Sequence, residues 1–362
     1  MTDALRFATI ALPFIASAAL ATIASWRIGS LLNTACATLL FLLSCALPWD
    51  LPDHLVRLTT FIAMTTSWVG LRDTVIRTKW YHSSLQALVG AIVLASLAAD
   101  PILIWFALVI ALAAVATIVD TAALAARVLL QCGAGLMMAL LGTLLLERAP
   151  APATLFLLLG YGGVAGLAPL HGWLVDAAAE APAPGALLIG VLLPNAPLLT
   201  FMRLQTGLAP SMLLAFGVLS VVSGAAFLLA RPDPRRAIAL SGVALLGFIE
   251  CGIGLGVAAT PRLIAMLALA RAALLQCRNN SPAHEASVLV LVLLPLFALF
   301  LLAEPAATWS AWLLLPLAIG ALLTSWMLPR LMPAANGTRQ PLLLLAPVWL
   351  QLALVVALAV VP

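Results

Sequence analysis

Lysine is almost missing from this chain: Lys79 is the only one in 362 residues, and it falls in a loop between apolar runs. An amine buried in a membrane can be loaded and discharged because its surroundings set its charge. Without an intramembrane lysine, that device is excluded. Charge of either sign is scarce as well. Asp, Glu, Lys and Arg make up 8% of the residues, too few to clothe a water-soluble body of this length. The five cysteines, Cys36, Cys45, Cys132, Cys251 and Cys277, form no C-x-x-C pair. Their places in or at the ends of apolar runs favour buried structural thiols. The histidines, His54, His82, His171 and His284, have no His or Cys four residues away, so no metal, haem or iron–sulfur site is expected, and no other cofactor. H-E-x-x-H, G-x-S-x-G and paired catalytic aspartates are also lacking, so no catalytic residue is expected here. No basic run, basic stripe or separate soluble domain points to nucleic acid.

What fills the chain instead is Leu, Ala and Val. Hydrophobic residues are 64% of the total and the mean hydropathy is +1.18, which predicts an all-α integral membrane protein. About fourteen span-length runs follow one another, the first near 4–26, the seventh near 152–181, the eighth near 184–202 and the last near 341–361. Residues 1–26 read as the first helix, uncleaved, since a full run is followed by thirteen more. Arg and Lys concentrate after odd-numbered runs, among them Arg27, Arg72, Arg77, Lys79, Arg235 and Arg236. The positive-inside bias therefore places both termini outside, and a bacterial inner membrane is the expected location, with the lipid bilayer as solvent. The organisation expected is N-terminal helices over 1–99, a core over 100–280 and C-terminal helices over 281–362.

Ionisable residues at membrane depth are functional candidates because they are costly there. Asp120, between two apolar runs without Gly or Pro, is expected to cap the following helix. Arg127 lies two turns into that helix, where snorkelling to the interface competes with a place in a polar path. Glu250 has no acid or base beside it in LLGFIECGIGLG, so hydrogen bonding to a neighbouring helix is favoured over proton relay. Arg271 stays protonated and can hold an anion or tune a neighbour. The stretch GLAPLHGWLVDAAAEAPAPGALL, residues 166–188, differs because its polar groups come with helix breakers. Pro169 breaks the seventh run, and Pro182 and Pro184 close the segment after it. His171, Trp173, Asp176 and Glu180 can satisfy the backbone groups that such a break exposes, and Asp176 and Glu180 share one helix face at i,i+4; the other reading open is that Pro169 only kinks the helix and the polar side chains sit at the headgroup boundary.

PLHGWLVDAAAEAPAPGALL closely resembles the PLHxWLPDAHxEAPxPxSALL signature of the antiporter-like membrane subunits of respiratory complex I, multisubunit cation/proton antiporters and energy-converting hydrogenases, the hydrogenase-4 type above all. RPDPRRAIALSGVALLGFI resembles the RDYKRLLAYSSVEHMGLI segment of the same family, and the apolar frame over LIWFALVIALAAVATIVDTAALAARVLL follows it more weakly. The resemblance covers roughly residues 100–280 and implies an antiporter-like fold with two related helix bundles and a broken helix near Pro169. It also implies a central line of Glu, Lys and His along which protons move. That line is largely erased here. The family's glutamate falls on Val109, its lysines on Val164 and Asn195, its Glu-His pair on Ala244 and Leu245, and a further His and Lys on Leu269 and Ala273. Arg127, in place of a helix lysine, keeps a charge. His171, Asp176 and Glu180 match the signature, while its proline and second histidine are Val175 and Ala178.

The resemblance therefore implies a degenerate structural and docking subunit, with other membrane subunits and a peripheral soluble enzyme module as partners. An inorganic-carbon uptake system is another host of this kind. The alternative is a proton-translocating subunit rerouted through Arg127, His171, Asn195 and Glu250, with Asp120 beside them. The lateral amphipathic helix of one branch of the family is not expected in so short a chain.

Overall fold

A computed structural model describes residues 2–71, 80–119, 121–230, 232–277, 281–332 and 346–360; Asp120, Lys79 and the residues around Lys79 lie outside this set. Its helices are α1 Thr2–Ala21, α2 Trp26–Cys45, α3 Leu51–Gly70, α4 Tyr81–Leu97, α5 Pro101–Ile118, α6 Ala122–Leu145, α7 Pro150–Leu157, α8 Gly163–Ala165 and α9 Gly172–Glu180. They continue with α10 Ala183–Leu187, α11 Asn195–Leu204, α12 Pro210–Leu228, α13 Pro234–Gly254, α14 Thr260–Gln276, α15 Pro282–Trp309, α16 Leu314–Leu331 and α17 Ala346–Val360. Among the described residues, nine helices are long and apolar enough to cross a membrane and three more are apolar but shorter. The expected count of fourteen is not reached by that measure, because breaks and polar residues shorten several rods.

Local chemistry sets the starts. Proline stands in the first turn of α3, α5, α7, α12, α13, α14 and α15, where its missing N–H costs nothing. Asp100 and Asp233 cap α5 and α13 by accepting from Ile102 N–H at 2.8 Å and Arg236 N–H at 3.0 Å. At α6 the cap is Thr121, whose hydroxyl accepts from Leu124 N–H at 3.3 Å. Thr121 has the extended backbone a cap requires; the role expected of Asp120 lies outside the described residues.

α1–α4 pack as one group, joined through α4 to α5 and α6, while α12–α16 form a second group with α17 against α14. Two rods lie at the centre. In both α13 and the Ala183–Leu204 segment, 94% of the most apolar window is buried, against less than half in the other long spans. The outer rods turn large apolar side chains such as Phe300 and Trp312 outward, as lipid-facing helices do. α12 and α13 touch backbone to backbone: a Cβ at Gly247 would lie 2.5 Å from the Gly217 carbonyl oxygen and 2.6 Å from Val221 N. Small residues at helix contacts permit that approach.

Candidate functional site

Two of the rods are interrupted, and the candidate residues gather around the interruptions. In the seventh rod, α7 passes into a π turn over Leu158–Gly162, then α8, and the chain leaves the helix at Gly166, whose φ is +83°. Such a φ suits glycine, which has no Cβ to clash. The chain then crosses Pro169 and resumes as α9. A break at membrane depth needs its backbone groups satisfied, and here side chains do it. Trp173 Nε1 donates to the Gly163 carbonyl at 2.7 Å, tying α9 back onto α8. Ser220 of α12 accepts from Ala168 N–H at 2.9 Å and donates to the Phe216 carbonyl at 2.8 Å. Trp173→Phe keeps the ring and removes the donor, leaving the Gly163 carbonyl with the 3.1 Å bond from Gly166 N–H alone. A loss of about 0.5–1.5 kcal/mol is expected, read as a lower thermal midpoint in detergent; an unchanged midpoint would remove Trp173 from this role.

The signature acids lie at the far end of α9 and meet arginines from two other rods. Arg127 Nη1 donates to Asp176 Oδ2 at 2.8 Å, and Arg236 Nη2 lies 3.5 Å from Asp176 Oδ1 and 3.8 Å from Glu180 Oε1. Both acids reach the same guanidinium, as their i,i+4 spacing requires. Arg235 adds a bond to the Ala179 carbonyl at 3.2 Å. This cluster sits at the rim rather than within the bundle: the Arg127 side chain is 61% exposed and that of Asp176 25%. Ion pairs so exposed contribute at most about 1 kcal/mol. They orient α6, α9 and α13 at one face. Both readings of Arg127 are compatible with this pairing, which is made by a largely exposed side chain.

His171 stands apart from that cluster. It occupies the N-cap of α9, packs on the Phe227 ring at 5.4 Å between centroids, and its Nδ1 has no partner among the described residues. Asn195 opens α11, buried, with its Nδ2 unpartnered. Glu250 is fully buried in α13, and neither carboxyl oxygen has a hydrogen-bond partner among the described residues. The hydrogen bond to a neighbouring helix expected of it is not formed.

The eighth rod holds the interruption that sequence patterning missed. α10 passes into a π turn over Leu188–Leu192 before α11 begins. In an α-helix the Gly190 carbonyl accepts from the N–H of residue 194, which is Pro194 and has none. Arg271 fills that place: its Nη1 donates to the Gly190 carbonyl at 2.6 Å from a side chain buried to 1% exposure. Room for the guanidinium comes from Gly242 of α13, where a Cβ would lie 2.5 Å from Arg271 Cζ. Arg271 is thus a backbone clamp, and no carboxylate among the described residues lies within ion-pair distance of it. The signal was present in Gly190 and Pro194, but only the fold shows which distant side chain serves them.

A bundle of apolar helices with one helix broken near Pro169 is what the resemblance to antiporter-like membrane subunits leads one to expect, and a second helix is loosened by a π turn. The chain belongs to the family described as NADH:quinone oxidoreductase/Mrp antiporter, transmembrane, whose model matches residues 102–320. It is 29% identical over 313 residues to the hydrogenase-4 component F homolog of Methylacidiphilum infernorum (isolate V4), a match covering 69% of this chain and 66% of that one, just under two thirds of its length. The fold matches a chain of the archaeal membrane-bound sulfane sulfur reductase with a TM-score of 0.82 at 15% identity, covering 97% of this chain and 94% of that one. Against a chain of respiratory complex I from Thermus thermophilus the TM-score is 0.80 at 18% identity, covering 97% and 96%. The protein is an integral membrane protein of this fold.

Proposed function

We propose that this chain serves as a membrane-embedded structural and docking subunit of a multisubunit complex of the complex I, Mrp or hydrogenase type, and does not itself carry protons. The observation that carries this reading is the state of Arg271 and Glu250, the charged side chains buried in α14 and α13. Arg271 is committed to the carbonyl that Pro194 leaves open. Glu250 stands alone, and the eight residues of α13 between Gly242, where the guanidinium rests, and Glu250 span about 12 Å. That gap is too long for direct proton transfer. Val109, Val164, Ala244, Leu245, Leu269 and Ala273 stand where the resemblance places ionisable groups, which leaves Glu250 and Arg271 without those neighbours. Loss of these charges also removes a desolvation cost that only transport would require.

The arginine-rich face formed by Arg127, Arg235 and Arg236 is the face the positive-inside bias assigns to the cytoplasm of a bacterial inner membrane, with both termini outside. A peripheral soluble enzyme module would dock there, and other membrane subunits would pack along the outer rods. Purification from native membranes by a tag on this chain tests the reading: a stoichiometric set of membrane and peripheral proteins is the expected result. Recovery of a stable, monomeric chain alone would contradict it. A second reading, a rerouted proton path through Arg127, His171, Asn195 and Glu250, is favoured by one observation: Asn195 and Glu250 are both buried with polar atoms unpartnered, on helices α11 and α13 that pack together. Proton flux separates the two.

A further inference from the structure

Polar residues are also concentrated far from the signature, in the seam where α2, α3 and α4 meet the start of α10. A cleft there, with about 20 Å³ of room for the centres of water molecules, is bordered by Trp26, Asn33, Ser67, Thr66, His82 and Gln86. Its groups form a chain of uncharged hydrogen bonds. Gln86 Nε2 donates to Asn33 Oδ1 at 2.9 Å, and Asn33 Nδ2 donates to Ser67 Oγ at 3.2 Å. A second set of uncharged hydrogen bonds starts at the neighbouring Thr66 and leads away from the cleft. Gln276 Nε2 of α14 donates to Thr65 and Thr66 hydroxyls at 3.1 and 3.3 Å, and Gln351 Nε2 of α17 donates to Thr65 Oγ1 at 3.0 Å.

Both sets are incomplete in one direction. Gln86 Oε1 and Gln351 Oε1 lack donors, and neither ring nitrogen of His82 has a partner among the described residues, although His82, Gln86 and Gln351 are all more than nine-tenths buried. The His82 ring is held on its face by Trp26, 4.3 Å between centroids, and on one edge by Gly29, where a Cβ would come within 3.2 Å of Cδ2. Its polar edge is left for something else. A neutral imidazole needs one donor and one acceptor, and an amide oxygen needs donors. A buried polar group without them costs a few kcal/mol. Water answers both needs at once, and it fits a polar cleft where a larger solute would press on Ala37, Ala63 and Val89.

We propose that this cleft is a water-binding site: an ordered water enters beside Trp26 and Pro184 and bridges His82 to Gln86. The groups that line it are uncharged.

The test uses the full chain in lipid nanodiscs, with its five cysteines replaced by alanine and single cysteines introduced as Ser67→Cys or Thr66→Cys. The probe is Ag⁺, which travels in water and not in hydrocarbon; thiols left unreacted are counted by mass spectrometry. Thiolates form and react only in polar, accessible surroundings, so Ser67→Cys should react at least about tenfold faster than Leu39→Cys, a lipid-facing control. Filling the cleft with Gln86→Leu should abolish the difference. Equal slow rates at Ser67→Cys and Leu39→Cys would show a dry seam of helix-to-helix hydrogen bonds and overturn the proposal. Should a variant lose its fold, hydroxyl-radical footprinting of the unaltered chain decides: ¹⁸O from solvent in His82 or Trp26 supports bound water, and protection of both contradicts it.

Discussion

Gly247→Leu should abolish the folded protein, the largest effect of any single substitution considered for this chain. The reason is geometric. At Gly247 a first side-chain carbon already meets the Gly217 carbonyl and Val221 nitrogen of α12, both backbone atoms that cannot rotate away. From the other side, a Cβ at Gly217 would lie 2.6 Å from Cys251 Sγ and 2.9 Å from Cys251 N, and one at Gly224 would lie 2.6 Å from Ala244 N. The two helices are therefore locked along about two turns. Overpacking a core costs about 1–3 kcal/mol where side chains can adjust, and here helices would have to separate, so more than about 3 kcal/mol is expected. The measurement is size-exclusion chromatography of a fluorescent fusion. Loss of the monodisperse peak is expected for Leu and Val, with a weaker defect for Ala. Gly172→Ala serves as control, because nothing lies within 4 Å of a Cβ there.

Arg271→Ala should be the second most damaging change, although it removes a buried charge. Relief of that charge favours the variant. Against it stand the orphaned Gly190 carbonyl, about 1–3 kcal/mol, and the cavity left over Gly242, about 2–5 kcal/mol for a large buried side chain. The second pair of effects is larger, so a net loss of about 3 kcal/mol is expected. A double-mutant cycle isolates the clamp. Pro194→Ala restores an N–H to the eighth rod, so Arg271→Met should cost less in that background than in the parent, by about 1 kcal/mol or more. Strict additivity would show that Arg271 acts elsewhere.

How far the sequence reached can be judged from these residues. The signature stretch, its break near Pro169 and the shared face of Asp176 and Glu180 follow from local rules of spacing and proline chemistry, and the structure has them. Pairing of those acids with Arg127 and Arg236 depends on three rods converging at one face, which no local pattern encodes. Arg235 and Arg236 were legible only as part of the positive-inside count. The π turn over Leu188–Leu192 escaped because an apolar run with Gly190 and Pro194 reads as a plain span; its partner Arg271 is 81 residues away. Glu250 was expected to bond across helices, and its isolation follows from apolar neighbours that periodicity alone does not place around it. The uncharged hydrogen bonds of Asn33, Gln86, Gln276 and Gln351 left no signal at all, since single amides in apolar runs look like noise until the helices bring them together.

Proton flux is the most direct test of the central claim. The complex containing this subunit, reconstituted into vesicles with a trapped pH dye and driven by its own reaction, is compared with complexes carrying Glu250→Gln or His171→Gln in this chain. Flux per turnover equal to that of the parent in both variants is the predicted result. A fall in flux with assembly intact, in either variant, would show that protons pass through this subunit and that its remaining polar residues are a path rather than a frame.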